Sequence, residues 1–207
     1  MAYVPGWQND VFVSYAHVDD QPLPGARDGW VSLLGDALKT FLAMQLGRAE
    51  VLAVWRDRQL TGHTQLTPEI LTAARNSATL LIVLSEGYLA SDWCWSEYRE
   101  FVKLAGAGTR RLFVVERMPI ERGRKPEELR DLLGYPFWVR DHSDGPARTL
   151  GVPVPRPDEP EYYHRLNRLA LELAGELRRI KLQREEQHHL NIRQDGMESI
   201  NDQSIRT

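Results

Sequence analysis

The sequence predicts an α/β fold: a parallel sheet with helices on both faces. Two observations predict it. Five short apolar runs, at Val11–Val13, Val51–Trp55, Leu80–Leu84, Leu112–Val115 and Phe137–Val139, alternate with helical patterns. The third run, Leu80-Leu81-Ile82-Val83-Leu84, is apolar at every position. Continuous rather than alternating apolarity marks a strand covered on both sides.

In chain order, Val11-Phe12-Val13 between Asp10 and Ser14 is the first strand. Trp30, Leu34, Leu38, Phe41 and Leu42 recur at helical spacing and predict the first helix. The β-branched and aromatic run Val51 to Trp55 is the second strand. Thr67-Pro68-Glu69 opens the next helix, which runs to about Asn76. Threonine caps it, proline takes its first position and an acid sits in its first turn. The third strand is followed by a helix beginning near Asp92, and Leu112-Phe113-Val114-Val115 is the fourth strand. Pro126-Glu127-Glu128 opens a short helix ending near Gly134, before a fifth strand at Phe137-Trp138-Val139. The last helix starts after Asp158-Glu159-Pro160, with Leu166, Leu169, Leu173, Leu177 and Ile180 as its apolar stripe. At roughly 1.5 Å per residue it reaches about 40 Å, more than one sheet face needs, so its end is expected to project toward a partner.

Two segments read as irregular. Residues Arg140 to Pro160 contain Pro146, Pro153, Pro155, Pro157 and Pro160 and are expected to form an extended surface loop. Residues Asn191 to Thr207 are polar, lack aromatics and are expected to be a disordered tail or a linker. The predicted organisation is an N-terminal extension at 1–8, a folded domain at 9–186 and a polar tail or linker at 187–207.

The chain has 207 residues, 42% hydrophobic and 27% charged, which suits one domain with a real core. A net charge of −3 argues against a dedicated nucleic-acid binder, which carries a basic face. The single cysteine, Cys94, excludes an internal disulfide and a cysteine-based metal site. Neither a secretory leader nor an apolar run of about 18 residues is present, so a cytoplasmic location and no membrane span are expected.

The stretch Ser91-Asp92-Trp93-Cys94-Trp95-Ser96-Glu97 directly follows the most buried strand. A helix from Asp92 puts Trp93 and Glu97 four residues apart on one face. An indole and a carboxylate then project together beyond the carboxyl end of a central strand, where open α/β sheets bind ligands. The ordinary fate of a helix glutamate is solvation. Against it, the helical neighbours of Glu97 are Trp93, Cys94, Glu100 and Phe101, none of them basic, whereas Glu100 can reach Lys103. Cys94 reads as a small buried residue and Trp95 as the indole that faces the core. Adjacent histidines His188 and His189 on a polar helix end do not converge on one point, so no metal site is expected.

Placed in order, these landmarks resemble a TIR (Toll/interleukin-1 receptor) domain of bacterial type. Asp10-Val11-Phe12-Val13-Ser14-Tyr15 resembles the first box of that family. Trp55-Arg56-Asp57-Arg58-Gln59-Leu60-Thr61-Gly62 resembles the second box and its BB loop, with Pro68-Glu69-Ile70 opening the helix after it. Leu84-Ser85, Tyr88-Leu89, Ser91, Trp93-Cys94 and Glu97 resemble the third-strand signature. The resemblance implies a flavodoxin-like, three-layer sandwich with a five-stranded parallel sheet. It implies either an assembly-only adaptor or an enzyme cleaving NAD at the nicotinamide–ribose bond, to nicotinamide and ADP-ribose or a cyclic isomer. In cleaving members the glutamate matching Glu97 is catalytic. Such bacterial domains commonly act in defence against phage, switched on when a sensor domain or partner drives assembly, with the BB loop (Arg56 to Gln65) at the contact.

The chemistry suits these residues. Nicotinamide leaves NAD as a neutral base, so no general acid is needed, unlike the two-carboxylate arrangement of common glycosidases. One carboxylate, Glu97, can stabilise the oxocarbenium-like ribose. Trp93 offers a flat face to the nicotinamide cation. By resemblance, Ser14 and Tyr15 are expected to bond ribose or phosphate oxygens, and Asp57 to order the BB loop or touch substrate. Many cleaving relatives place an arginine after the first-box tyrosine; here Ala16 and His17 follow. Diphosphate contacts are then expected from Arg56, Arg58, His17 or a neighbouring subunit. NAD is substrate, and no cofactor is expected. The rivals are the adaptor, a phosphoacceptor receiver domain and a nucleoside deoxyribosyltransferase. Asp19-Asp20 faintly echoes the receiver's acidic pocket, but Leu84-Ser85 stands where a receiver needs an aspartate.

Overall fold

The computed structural model describes residues 2–47, 53–55, 68–106, 109–130, 132, 134–142 and 145–204, with side chains described to residue 190. Among them, β1 (Asn9–Ser14), β2 (Val54–Trp55), β3 (Ser77–Leu84), β4 (Leu112–Glu116) and β5 (Gly134–Pro136) form one sheet in the order β2-β1-β3-β4-β5. Every pairing in it is parallel. This is the flavodoxin-like α/β fold that the sequence implied. The helices are α1 (Trp30–Leu46), α2 (Pro68–Arg75), α3 (Glu86–Leu89), α4 (Asp92–Ala105), α5 (Glu127–Arg130) and α6 (Pro160–Ser204).

Strand side chains alternate between the two faces, and two apolar cores result. Val11, Val13, Leu81 and Val83 point to one face, under α1 and the stripe Leu166, Leu169, Leu173 and Leu177 of α6. Phe12, Leu80, Ile82 and Leu84 point to the other, under Ile70 of α2 and Cys94, Tyr98 and Phe101 of α4. All eight residues of β3 are buried, which explains its unbroken apolar run.

The fifth strand differs from expectation. Residues 134–136 add to the sheet beside β4, while β6 (Trp138–Arg140) pairs antiparallel with β7 (Ala147–Thr149) in a separate two-stranded ribbon. Phe137, the hinge between them, is fully buried against Trp30 and Tyr162. The apolar run therefore spans a buried corner at Phe137 and the start of β6, a strand of the small ribbon rather than of the main sheet. The proline-rich segment is likewise not all surface loop: it contains β7, and Leu150 is fully buried with its carbonyl accepting from Trp30 Nε1 at 2.7 Å.

The polar tail is corrected too. Helix α6 continues to Ser204 as a single 45-residue helix, about 67 Å long at 1.5 Å per residue. Residues 182–190 are exposed, yet no proline follows Pro160 and extending an existing helix needs no new nucleus. The N-terminal residues also pack onto the domain. Val4 is fully buried, and the Asp10 carboxylate accepts from the amides of Tyr3, Val4 and Ala53 at 2.9–3.1 Å. Trp7 lies between the guanidinium groups of Arg111 and Arg184, 4.6 and 5.3 Å from its ring. Among the described residues no helix is long and apolar enough to cross a membrane.

A buried and an exposed leucine of α6 respond differently to truncation. Leu173→Ala, at a fully buried position, is expected to cost about 2–5 kcal/mol of unfolding free energy in urea titrations. Leu182→Ala, at a position 59% exposed, is expected to stay within about 0.5 kcal/mol of the parent.

Candidate active site

In the order β2-β1-β3 the chain leaves β1 toward one side and later returns on the other. That reversal opens a crevice at the carboxyl ends of β1 and β3. Ser14 is the last residue of β1, and Leu84 the last of β3. Two short helical segments then bring the chain back across this edge. Ser85 caps α3, accepting from the Tyr88 amide at 3.0 Å, and Ser91 caps α4, accepting from the Cys94 amide at 3.3 Å. Both serines are N-cap types that satisfy otherwise orphaned helix amides.

Glu97 lies in the second turn of α4, half-buried, and its Oε2 accepts the Ser14 hydroxyl at 2.5 Å. A charged acceptor makes this a strong, short hydrogen bond. Ser14 itself is 1% exposed and sits 3.3 Å from the hydroxyl of Tyr88. Tyr88 is fully buried and also donates to the Cys94 carbonyl at 3.2 Å. Burial pushes the phenol well above its ordinary range; the hydrogen bond from Ser14 opposes the rise and the nearby Glu97 carboxylate adds to it, so Tyr88 stays a neutral phenol.

The two tryptophans divide as expected. Trp95 packs edge-on against Tyr88 and Tyr98, each at 5.7 Å, and donates to the Leu89 carbonyl. Trp93, one helical turn before Glu97, is 39% exposed. Glu100 pairs with both Arg75 and Lys103, outside the crevice.

Of the sequence candidates, the structure thus brings Ser14 and Glu97 into contact and leaves Trp93 open on the same helix face. Tyr15, the residue after β1, lies in the core cluster covered by α1 and α6, and its ring meets His17 at 5.7 Å. Arg56, Asp57 and the BB loop from Arg56 to Gln65 lie outside the described residues. His188 and His189 are exposed, and among the described residues no cluster of three or more metal-binding side chains occurs.

A second polar group borders the crevice and was not singled out as functional from sequence. Asp19, 4% exposed, accepts the Ser85 hydroxyl and Arg117 Nη1, the latter at 2.6 Å. Arg117 follows β4 and lies over Trp30 at 5.6 Å. Gly87 permits the close approach: a Cβ there would meet Val18 at 2.6 Å. Asp20 instead caps α1, accepting from the amide and hydroxyl of Ser32 at 2.7 Å each. The Asp-Asp pair that echoed a receiver pocket is therefore committed to an ion pair and a helix end. A pocket of about 440 Å³ lies away from Glu97, between α6 and the β4–β5 edge. Its acid Glu176 is paired with Arg179, and Glu172 accepts from Tyr135.

A flavodoxin-like parallel sheet with a hydroxyl-bound carboxylate at the carboxyl ends of β1 and β3 defines a class of α/β domain rather than a single protein. The family follows from the comparisons. A TIR domain model matches residues 11–150, and the chain belongs to the TIR domain family. Solved structures include similar domains. The TIR domain of the Toll-related receptor TRR-2 from Hydra magnipapillata aligns at 16% identity and a TM-score of 0.42, over 63% of this chain and 85% of that one. The TIR domains of the activated Roq1 resistosome, which recognises the pathogen effector XopQ, align at 16% identity and a TM-score of 0.39, over 81% of this chain and 84% of theirs. No curated protein matches the chain.

Cys94 offers a test of this packing. The thiol is 2% exposed, and burial pushes its pKa up to about 12. The folded protein at about pH 8 is expected to resist iodoacetamide and to react once unfolded. One cysteine per chain makes intact mass a direct count; fast labelling of the native protein would show that α4 does not pack as described.

Proposed function

We propose that this TIR domain is an NAD+ glycohydrolase that cleaves the nicotinamide–ribose bond, with Glu97 as the catalytic residue. The observation that carries it is the placement of the Glu97 carboxylate: half-buried at the β1/β3 crevice, held by the Ser14 hydroxyl at 2.5 Å, with an open indole one turn earlier. A carboxylate so held meets the charge that develops at the ribose carbon without reorganising. The departing base is a cation that becomes neutral as the bond breaks, so no acid need protonate it. Trp93 stacks on the cation and loosens its hold as the charge disappears.

Ser14 takes a different part from the one its sequence position suggested. Its single proton is committed to Glu97, and its side chain is buried, so it orients the carboxylate rather than contacting substrate. The diphosphate is held by groups of the second box, Arg56 with Asp57 ordering its loop, or by a neighbouring subunit. Self-association through the BB loop completes the site, in response to a sensor domain or partner protein, and the setting is bacterial defence against phage. The product is ADP-ribose or a cyclic isomer.

Incubating the protein with NAD+, with and without a crowding agent, and separating products by chromatography tests this directly. Nicotinamide release is expected, with specific activity rising with protein concentration. Glu97→Gln is expected to lower turnover at least ~10²-fold with unchanged folding by circular dichroism. Equal turnover in the two proteins removes Glu97 from its role, and no release under any condition leaves an assembly-only domain. Trp93→Ala is expected to raise KM roughly tenfold while kcat holds or rises, because the stacking it removes is stronger before bond cleavage than after.

A further inference from the structure

We propose that Tyr88 is a positioning residue for Glu97, holding the carboxylate through Ser14 from a buried anchor made by Asp19 and Ser85. The inference rests on the function proposed above for its catalytic consequence, but the network itself stands on geometry. It starts at the end of β4, where Arg117 donates to Asp19. Asp19 takes the Ser85 hydroxyl with its other oxygen. Ser85, having donated its proton, accepts the Tyr88 amide at 3.0 Å. Tyr88 then reaches 3.3 Å from Ser14, and Ser14 donates to Glu97. Five segments, ending β1, following β1, following β3, in α4 and following β4, are joined through two serine hydroxyls and one phenol.

Counting protons gives the direction of the effect. Ser14 has one proton and gives it to a charged acceptor 2.5 Å away. The one Tyr88 proton goes to the Cys94 carbonyl at 3.2 Å, so toward Ser14 Oγ, 3.3 Å away, the Tyr88 oxygen is an acceptor. Tyr88 therefore ties the Ser14 hydroxyl to the turn of α4 that precedes Glu97, and fixes donor and carboxylate relative to one another. Tyr88 is fully buried, so water does not replace its hydroxyl. A phenylalanine would fill the same apolar space, which leaves the oxygen to be explained by the two groups it meets.

Tyr88→Phe tests the proposal. Relative to wild type, kcat is expected to fall about tenfold with KM within about twofold, the loss of one hydrogen bond's worth of orientation. Adding Ser14→Ala to Tyr88→Phe is expected to cost far less than the two single losses multiplied, because both cut one chain. A second readout needs no turnover: the 13C side-chain carboxyl resonance of Glu97, identified by its disappearance in Glu97→Gln. It is expected to move in Tyr88→Phe and in Ser85→Ala, and to stay in place in Tyr135→Phe, whose hydroxyl meets Glu172 on the far face. A resonance unmoved in both Tyr88→Phe and Ser85→Ala overturns the proposal, whether or not NAD+ is cleaved. A moved resonance in a wild-type protein that never releases nicotinamide supports the network and removes the enzymatic function instead.

Discussion

The burial of β3 on both faces is the constraint on which the rest of the molecule depends. All eight of its residues are inaccessible. A strand in that position needs parallel neighbours on each side, β1 and β4, and a helical layer above and below. The chain satisfies this by crossing over the sheet, so α1 and α6 cover one face while α2 and α4 cover the other. The order β2-β1-β3 then makes the carboxyl edge of β1 and β3 a crevice without any further device.

A buried charge or hydroxyl without a partner costs more than most single contacts return, and the polar groups drawn to that edge pair with one another, Arg117 Nε excepted. The result is a set of mutual obligations. Asp19 satisfies Ser85 and Arg117, Ser85 satisfies the Tyr88 amide, and Ser14 satisfies Glu97. Glu97 is half-buried with an exposed indole one turn earlier on its helix, and Glu100, three residues later, pairs with Arg75 and Lys103.

Much of this was legible in the chain. The start of α4 at Asp92, the core-facing role of Trp95 and the burial of Cys94 follow from caps and helical spacing, which act over a few residues. The misplaced elements have a common cause. Phe137-Trp138-Val139 reads as the fifth strand of the main sheet because apolar patterning marks a strand without saying which sheet it joins, and Trp138 and Val139 pair with β7 instead. Residues beyond Leu182 look unstructured because no apolar stripe supports them, yet α6 was already nucleated by the domain it leaves.

The amino-acid sequence by itself determined the element types, the parallel sheet and the region around Glu97, because apolar periodicity, capping residues and turn chemistry are local. Tertiary structure alone decided which oxygen meets the carboxylate. Ser14 and Glu97 are 83 residues apart, and Arg117 and Asp19 are 98 apart. Contacts of that separation exist only once strand order is set, and a hydrogen bond that fails beyond a few tenths of an ångström leaves no periodic trace in the chain.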